Sequence, residues 1–273
     1  MDDLGAFALL PGLRVVRRGV HHLQIGLYDA RRTLLPRTPD VEQTLAALLE
    51  RRPFQPGPEG RAALETLQEQ GCLVAADETS RRARRRSDSR VSLLGDLAGA
   101  RDLLTSAGVR VVGAHAEADV VLVGGPGEVD RDRLDPLIRR GTTHLVVRLV
   151  DGAALLGPFV VPGVTACLRC TDAHRSIPDP DHVPVTNRYV RATSRPREDG
   201  TPDVTDPLLT ALALAWAVRD VVAFLDGTRP ATWSRTLFLD PDPSLHQEQD
   251  WSRHPECGCS WSAHALASGT MGV

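Results

Sequence analysis

Two pairs of cysteines far apart in the sequence constrain the fold of this chain more than any other feature. Cys167 and Cys170 form a C-x-x-C, and Cys257 and Cys259 form a C-x-C. Cytosolic thiols stay reduced, so such pairs read first as a metal site, each supplying one edge of a tetrahedron. A redox disulfide would account for one pair and leave the other unexplained. With four thiolates bound, no ligand position is open to a substrate, so the expected Zn²⁺ is structural. It would clasp the C-terminal tail onto the segment that holds Cys167 and Cys170. His174, His254 and His264 lie close enough in sequence to replace one thiolate. Cys72 reads as a small buried hydrophobe.

A second constraint is an absence. The chain has no lysine, so all 32 basic residues are arginine. P-loop, kinase, Schiff-base and lysine-nucleophile mechanisms are excluded. The net charge of −3 gives no reason to expect bulk nucleic-acid or membrane affinity. The best membrane-span candidate, Leu208 to Leu225, is broken by Arg219 and Asp220 and reads as a buried helix. The start, Met-Asp-Asp, lacks the basic opening of a signal peptide, so a cytoplasmic location is expected.

The chain divides at an arginine-rich stretch. Residues 81–90 read as a solvated linker between an N-terminal module, 1–80, and a larger domain, 91–273. The module opens with three strand-like runs: Leu13 to Arg18, His22 to Tyr28 and Arg32 to Leu35. In the second, Leu23, Ile25 and Leu27 share a face. Thr38 and Pro39 start a helix with Val41, Leu45, Leu48 and Leu49 on its apolar stripe. A second helix, Glu59 to Gln70, carries Ala63, Leu64 and Leu67, and a short strand, Cys72 to Ala75, closes the module. Strands packed on helices at this size predict a winged-helix-like unit.

The remainder reads as α/β. Strands at Val91–Leu94, Val109–Val112, Asp119–Val123 and His144–Val150 alternate with helices, one of them Asp130–Arg140, which predicts a parallel, doubly wound sheet. The turn Gly95-Asp-Leu-Ala-Gly99 follows a strand and precedes a helix, as a nucleotide turn must. Leu97, however, occupies the position where close backbone approach needs glycine. The next strand ends Gly113-Ala-His115, with no carboxylate for a ribose. Ile177 to Pro207, with six prolines, reads as loop; Asp206-Pro207 then starts a long helix to Asp226, and Thr232 to Leu239 is a late strand.

Gly157-Pro-Phe-Val-Val-Pro-Gly163, followed by Cys167-Leu-Arg-Cys170-Thr-Asp-Ala-His-Arg175, resembles the E1-like (ThiF-type) adenylating fold. In particular the chain is similar to actinobacterial TOMM, or azole-peptide cyclodehydratase, leader-binding proteins. In these a winged-helix peptide clamp, the RiPP recognition element, precedes a degenerate E1-like domain. The resemblance covers both halves in order, and it too implies structural zinc on Cys167, Cys170, Cys257 and Cys259. It implies an α/β protein made of a peptide clamp and a Rossmann-like domain with a zinc-clasped C-terminus. Active E1 enzymes have an intact glycine turn, a carboxylate after the second strand and a lysine near ATP. This chain departs from all three, so no catalytic residue and no ATP binding are expected.

The expected function is to bind a precursor leader peptide and present it to a YcaO-type cyclodehydratase. The leader would pair with the strand of Leu34 and Leu35 and pack on the helix of Leu64 and Leu67, although ordinary core packing explains most such leucines. A homodimer is left open, and neither membrane nor specific nucleic acid is an expected partner. The enzyme rival is an ATP-dependent adenylyltransferase. It would need Arg101, Arg110 or Arg148 in place of the lysine, and Asp96 or Asp119 for Mg²⁺. A winged-helix DNA binder is a third reading, opposed by Glu59, Glu65 and Glu69 on the second helix against Arg61 alone.

Overall fold

The computed structural model describes residues 7–114, 116–193 and 206–260. The chain forms two compact units that part between Arg82 and Ala83. In the first unit, β1 (Phe7–Leu9), β2 (Val15–Arg18), β3 (His22–Ile25) and β4 (Thr33–Pro36) precede α1 (Pro39–Glu50), α2 (Pro58–Glu69) and β5 (Leu73–Ala75). β2, β3 and β4 form an antiparallel sheet in that order, and β1 pairs with β5.

Local chemistry accounts for these elements. Thr38 caps α1, its side chain accepting from Val41 N, and Pro39 fits the first turn. Asp40 then anchors the start of α2: its two carboxylate oxygens accept from Gly57 N and Gly60 N, each at 2.8 Å. A Cβ on Gly57 would meet that carboxylate at 2.4 Å, which explains glycine there. Leu23, Ile25, Leu35, Val41, Leu45, Leu48, Leu64 and Leu67 fill one core. Leu27 does not continue the buried face of β3. The chain turns at Gly26 (φ +74°), where a Cβ would meet Arg31 O at 2.3 Å, and Leu27 is left exposed.

Most of the arginine-rich stretch is helical rather than extended, and it buries no residue. Residues up to Asp88 belong to α3 (Glu78–Asp88), where Arg81 and Arg82 pair with Glu78 one turn back. Arg86 pairs with Asp226, and Arg85 donates to the Asp226 carbonyl. Salt bridges at helical spacing offset the charge density of this stretch.

The second unit contains β6 (Arg90–Gly95), α4 (Ala100–Ser106), β7 (Arg110–Val112), β8 (Val120–Pro126), α5 (Asp135–Arg139), β9 (Thr143–Val150), β10 (Ala153–Val160), α6 (Leu168–Ser176), α7 (His182–Thr193), α8 (Pro207–Leu225), β11 (Arg235–Leu239) and β12 (Gln247–Asp250). Its seven-stranded sheet has the order β12-β11-β10-β9-β8-β6-β7. β7, β6, β8 and β9 run parallel, so the chain reverses its direction of travel across the sheet between β6 and β8. From β9 onward each neighbouring pair is antiparallel.

The sequence reading needs correction or completion at four places. The sheet is mixed, because β9 and β10 are joined by the tight Asp151-Gly152 turn, which returns the chain without a crossover helix. Gly157 to Val160 belongs to β10, with a register irregularity between Leu156 and Phe159 that masks its alternation. The proline-rich stretch holds α7, with Pro184 in its first turn, where proline is tolerated. The helix expected at Asp130–Arg140 is a 3-10 turn at Arg131–Arg133 followed by the short α5.

The long helix matches expectation. Asp206 caps α8 by accepting from Leu208 N and Leu209 N. Leu209, Ala213, Leu214, Ala217, Val218 and Val221 pack into the main core with Leu122, Leu145, Leu156 and Phe159. α8 is the one helix among the described residues long and apolar enough to cross a membrane.

Candidate metal centre, crevice and strand edge

Cys167 is the N-cap of α6 in extended conformation, and Cys170 lies one turn on, so both thiols point to the same side. The turn before them is pinned by Thr165, whose hydroxyl accepts from Val161 N at 2.7 Å and donates to Phe159 O at 2.9 Å. Cys257 and Cys259 arrive from the tail, which is held by Trp251 Nε1 donating to Thr236 Oγ1 and by contacts of His174 Nε2 with Ser252. The four buried sulfurs lie within 4.8 Å of one another. Cys167 Sγ is 3.7 Å from Cys170 Sγ and 3.6 Å from Cys257 Sγ, and Cys170 Sγ is 3.5 Å from Cys259 Sγ. A tetrahedron with metal–sulfur bonds of about 2.3 Å has edges of about 3.8 Å, so these four thiols can hold a metal ion.

At this spacing the four thiols perturb one another. Hydrogen bonding among the thiols pushes Cys167 and Cys259 up and holds Cys170 down, with Cys257 lowered to about 7. Four thiolates at this spacing repel one another unless a cation neutralises them. His174 and His254 pack edge to face at 5.1 Å, outside the four-thiol group. His264 and His115 lie outside the described residues.

The carboxyl ends of β6 and β8 form the crevice in which a sheet of this type binds ligands. Glycines line it because backbones meet there: a Cβ on Gly95 would sit 2.0 Å from Gly124 O, and one on Gly124 would sit 1.8 Å from Val147 O. Leu97 does not block this turn. Its side chain is buried in the core with Ala100 and Leu104, so the backbone around it faces the crevice unobstructed. Val190 of α7 and Glu128, Asp130 and Arg133 border the space, which has a volume of about 140 Å³.

Beneath the crevice lies a buried ion network. Arg131 donates from Nε and Nη2 to the two oxygens of Asp172 and from Nη1 to Glu128 and Val129 O. Arg148 pairs with Glu128 at 3.2 Å. Burial alone would raise both carboxyls, but the neighbouring guanidinium groups outweigh it and hold Glu128 and Asp172 below the usual range. Burial pulls Arg148 below the ordinary arginine value. Sequence reasoning missed Glu128, Arg131 and Asp172, whose spacing carries no motif.

The residues of the enzyme rival do not converge. Arg110 and Asp119 stand at the amino ends of their strands, away from the crevice, where the Asp119 carboxylate accepts from Arg90 N. Arg101 is exposed on α4, and Arg148 is committed to Glu128 and Gly157 O. Asp96 comes nearest, its backbone lying against Gly125 of the crevice wall.

In the first unit, Leu35, Leu64 and Leu67 are core residues and Leu34 is exposed. They therefore do not line one groove. β4 is the edge of its sheet, and Arg37 N donates to His21 O. In an antiparallel ladder such pairs alternate, so Thr33 and Leu35 point their main-chain groups at β3. Leu34 N–H and C=O therefore face away from the sheet.

No family model matches the chain, and no curated protein matches it. Solved structures do. The heterocyclase TruD is 18% identical with a TM-score of 0.67; the match covers 93% of this chain and 42% of TruD, so this chain spans less than half of that one. E. coli MccB, solved with AMPCPP and MccA, is 13% identical with a TM-score of 0.65, covering 93% and 99% of the two chains. The microcin C7 biosynthetic enzyme MccB in complex with N-formylated MccA is 12% identical with a TM-score of 0.60, covering 93% and 99%. At these identities the likeness shows the fold alone, one shared with TruD and MccB.

Proposed function

We propose that this chain is a non-catalytic scaffold that captures a precursor leader peptide and presents it to a YcaO-type cyclodehydratase. The observation that carries this reading is the free edge of β4, where Leu34 offers an outward N–H and C=O beside an exposed apolar side chain. A leader adding there as a strand would gain main-chain hydrogen bonds and read Leu34 from its own side chains. The first unit then serves as a winged-helix-like clamp. The second serves as a support with structural zinc on Cys167, Cys170, Cys257 and Cys259. TruD is a heterocyclase and MccB was solved with MccA, which supports placing this chain in peptide modification.

Loss of adenylation is supported by the crevice. Its 140 Å³ is smaller than the roughly 300–1,000 Å³ of ordinary small-molecule sites. The basic side chains beneath it are neutralised by Glu128 and Asp172. The adenylyltransferase reading keeps one observation in its favour, the glycine-lined crevice at the reversal between β6 and β8.

The test is fluorescence anisotropy of the full chain with a labelled precursor peptide encoded beside its gene. Binding that falls about tenfold in Leu34→Pro (~1.4 kcal/mol) is the expected result. Peptide-dependent ATP–pyrophosphate exchange would replace the scaffold reading with the enzyme.

A further inference from the structure

Charge in the first unit is segregated between strands and helices. From Leu13 to Arg37 there are six arginines and one acid, Asp29. α2, by contrast, carries Glu59, Glu65 and Glu69 against Arg61. The basic half is also under-neutralised. Among the described residues, Arg14 and Arg17 have no acidic partner, Arg18 donates to Gln24 Oε1 at 2.8 Å, and Arg31 donates to Gly71 O at 3.1 Å. Only Arg32 with Asp29 and Arg37 with Glu42 form ion pairs, and these are solvent-accessible pairs of the kind that contribute little.

The register places this charge around an apolar spot. Val16, Gln24 and Leu34 form one cross-strand row, and Arg18, His22 and Pro36 form the next. Both rows lie on the outer face of the sheet, where Val16, Leu34 and Pro36 are exposed. Arg31 and Arg32 immediately precede β4 and Arg37 follows it, so a strand added at this edge would have arginine at both ends. β2 is two strands away, about 10 Å, beyond the Debye length of about 8 Å at physiological salt, so its arginines contribute mainly at low ionic strength.

Resting on the reading of β4 as the peptide-binding edge, we infer that the peptide is acidic, with an apolar centre and acidic residues at its ends. Its apolar side chains would lie beside Leu34 and Pro36, and its carboxylates would meet Arg31 and Arg32 before β4 and Arg37 after it, with Arg18 adding positive charge at the latter end. A nucleic acid fits this surface less well. The outward main-chain groups of Leu34 match a strand, and the acidic α2 would repel a phosphate backbone.

The experiment uses the full chain and three fluorescein-labelled probes: a Leu-Glu decapeptide with a leucine centre and glutamates at both ends, a Leu-Lys decapeptide of the same pattern and a 20-base-pair DNA duplex. Expected is at least tenfold tighter binding of the Leu-Glu peptide, weakening with salt, and loss of that preference in Arg18→Glu/Arg32→Glu. Equal binding of the two peptides, or tighter binding of the duplex, overturns the inference. The two readings fail separately. If a neighbouring precursor binds in a Leu34→Pro-sensitive way but ignores the charge reversal, strand addition stands and the acidic preference falls. If the charge reversal abolishes Leu-Glu binding while Leu34→Pro has no effect, the β4 edge is the part that is wrong, and the inference falls with it. Circular dichroism of each variant checks that both substitutions, at exposed positions, leave the fold intact.

Discussion

Arg131 and Asp172 meet side by side, Nε at 2.8 Å from one carboxylate oxygen and Nη2 at 2.9 Å from the other. The pair joins the 3-10 turn after β8 to α6, the helix that carries Cys167 and Cys170. It therefore ties the floor of the crevice to the four-thiol group.

Breaking this pair should be costly. Asp172→Ala leaves Arg131 buried with one carboxylate, Glu128, now shared with Arg148, and should destabilise the second unit by about 3–5 kcal/mol in urea titrations. The pH dependence has a definite sign. The folded-state values of Glu128 and Asp172 are depressed, so their contribution is present above the ordinary carboxylate range and lost as pH falls through their lower folded values. The urea midpoint should drop on acidification below about pH 4 in the native protein. A flat midpoint there, or a fully stable Asp172→Ala, would show that the pair contributes nothing.

Metal removal should release the tail. Protein purified under reducing conditions should hold about one zinc per chain, and Cys257→Ser/Cys259→Ser should hold none and lose several kcal/mol of stability. Elemental analysis decides the first point and chelator-dependent melting the second. Metal-free protein with undiminished stability would mean that the four thiols merely pack together.

The positions of these groups were legible in the sequence to different degrees. The cysteine set was legible because tetrahedral coordination leaves a spacing that survives without an alignment. The caps at Thr38 and Asp206 were legible for a similar reason: each is a local bond between a side chain and a backbone two or three residues away. The Arg131 network was invisible, since Glu128 and Asp172 converge only once β8 and α6 are placed side by side. Leu97 misled because a sequence reveals the residue at a turn but not which way its side chain points. β10 and β12 were missed because a strand buried on both faces, like β10, does not alternate, and β12, Gln247–Asp250, is wholly polar.

Leu34 and Leu67 separate binding from folding. Leu67 is fully buried and Leu34 is 46% exposed. Leu67→Asp places an unpaired carboxylate in the core and should unfold the first unit, visible as lost helical circular dichroism. Leu34→Asp should leave the spectrum unchanged, because its side chain projects from an edge into water. If Leu67→Asp folds normally, the core around α2 has been misassigned.

Nucleotide binding gives the sharpest test of the crevice. A triphosphate would need room that the 140 Å³ space lacks, and it would approach a border that includes Glu128, Asp130 and a single arginine, Arg133. Arg131 and Arg148 lie below, but both are already bonded to carboxylates: recruiting Arg131 would strip Asp172 of its guanidinium partner, and recruiting Arg148 would leave Glu128 with Arg131 alone. That cost, several kcal/mol for a buried charge, is comparable to a whole millimolar binding energy of about 4 kcal/mol. Calorimetric titration with MgATP should therefore give no heat of binding at millimolar concentration. Glu128→Gln distinguishes a weak site from none, because it frees Arg148 and lowers the negative charge at the border. If Glu128→Gln gains measurable ATP affinity, the crevice is a nucleotide site suppressed by its own carboxylate. If the unaltered chain binds ATP at micromolar concentration, the scaffold reading is wrong and the adenylyltransferase takes its place.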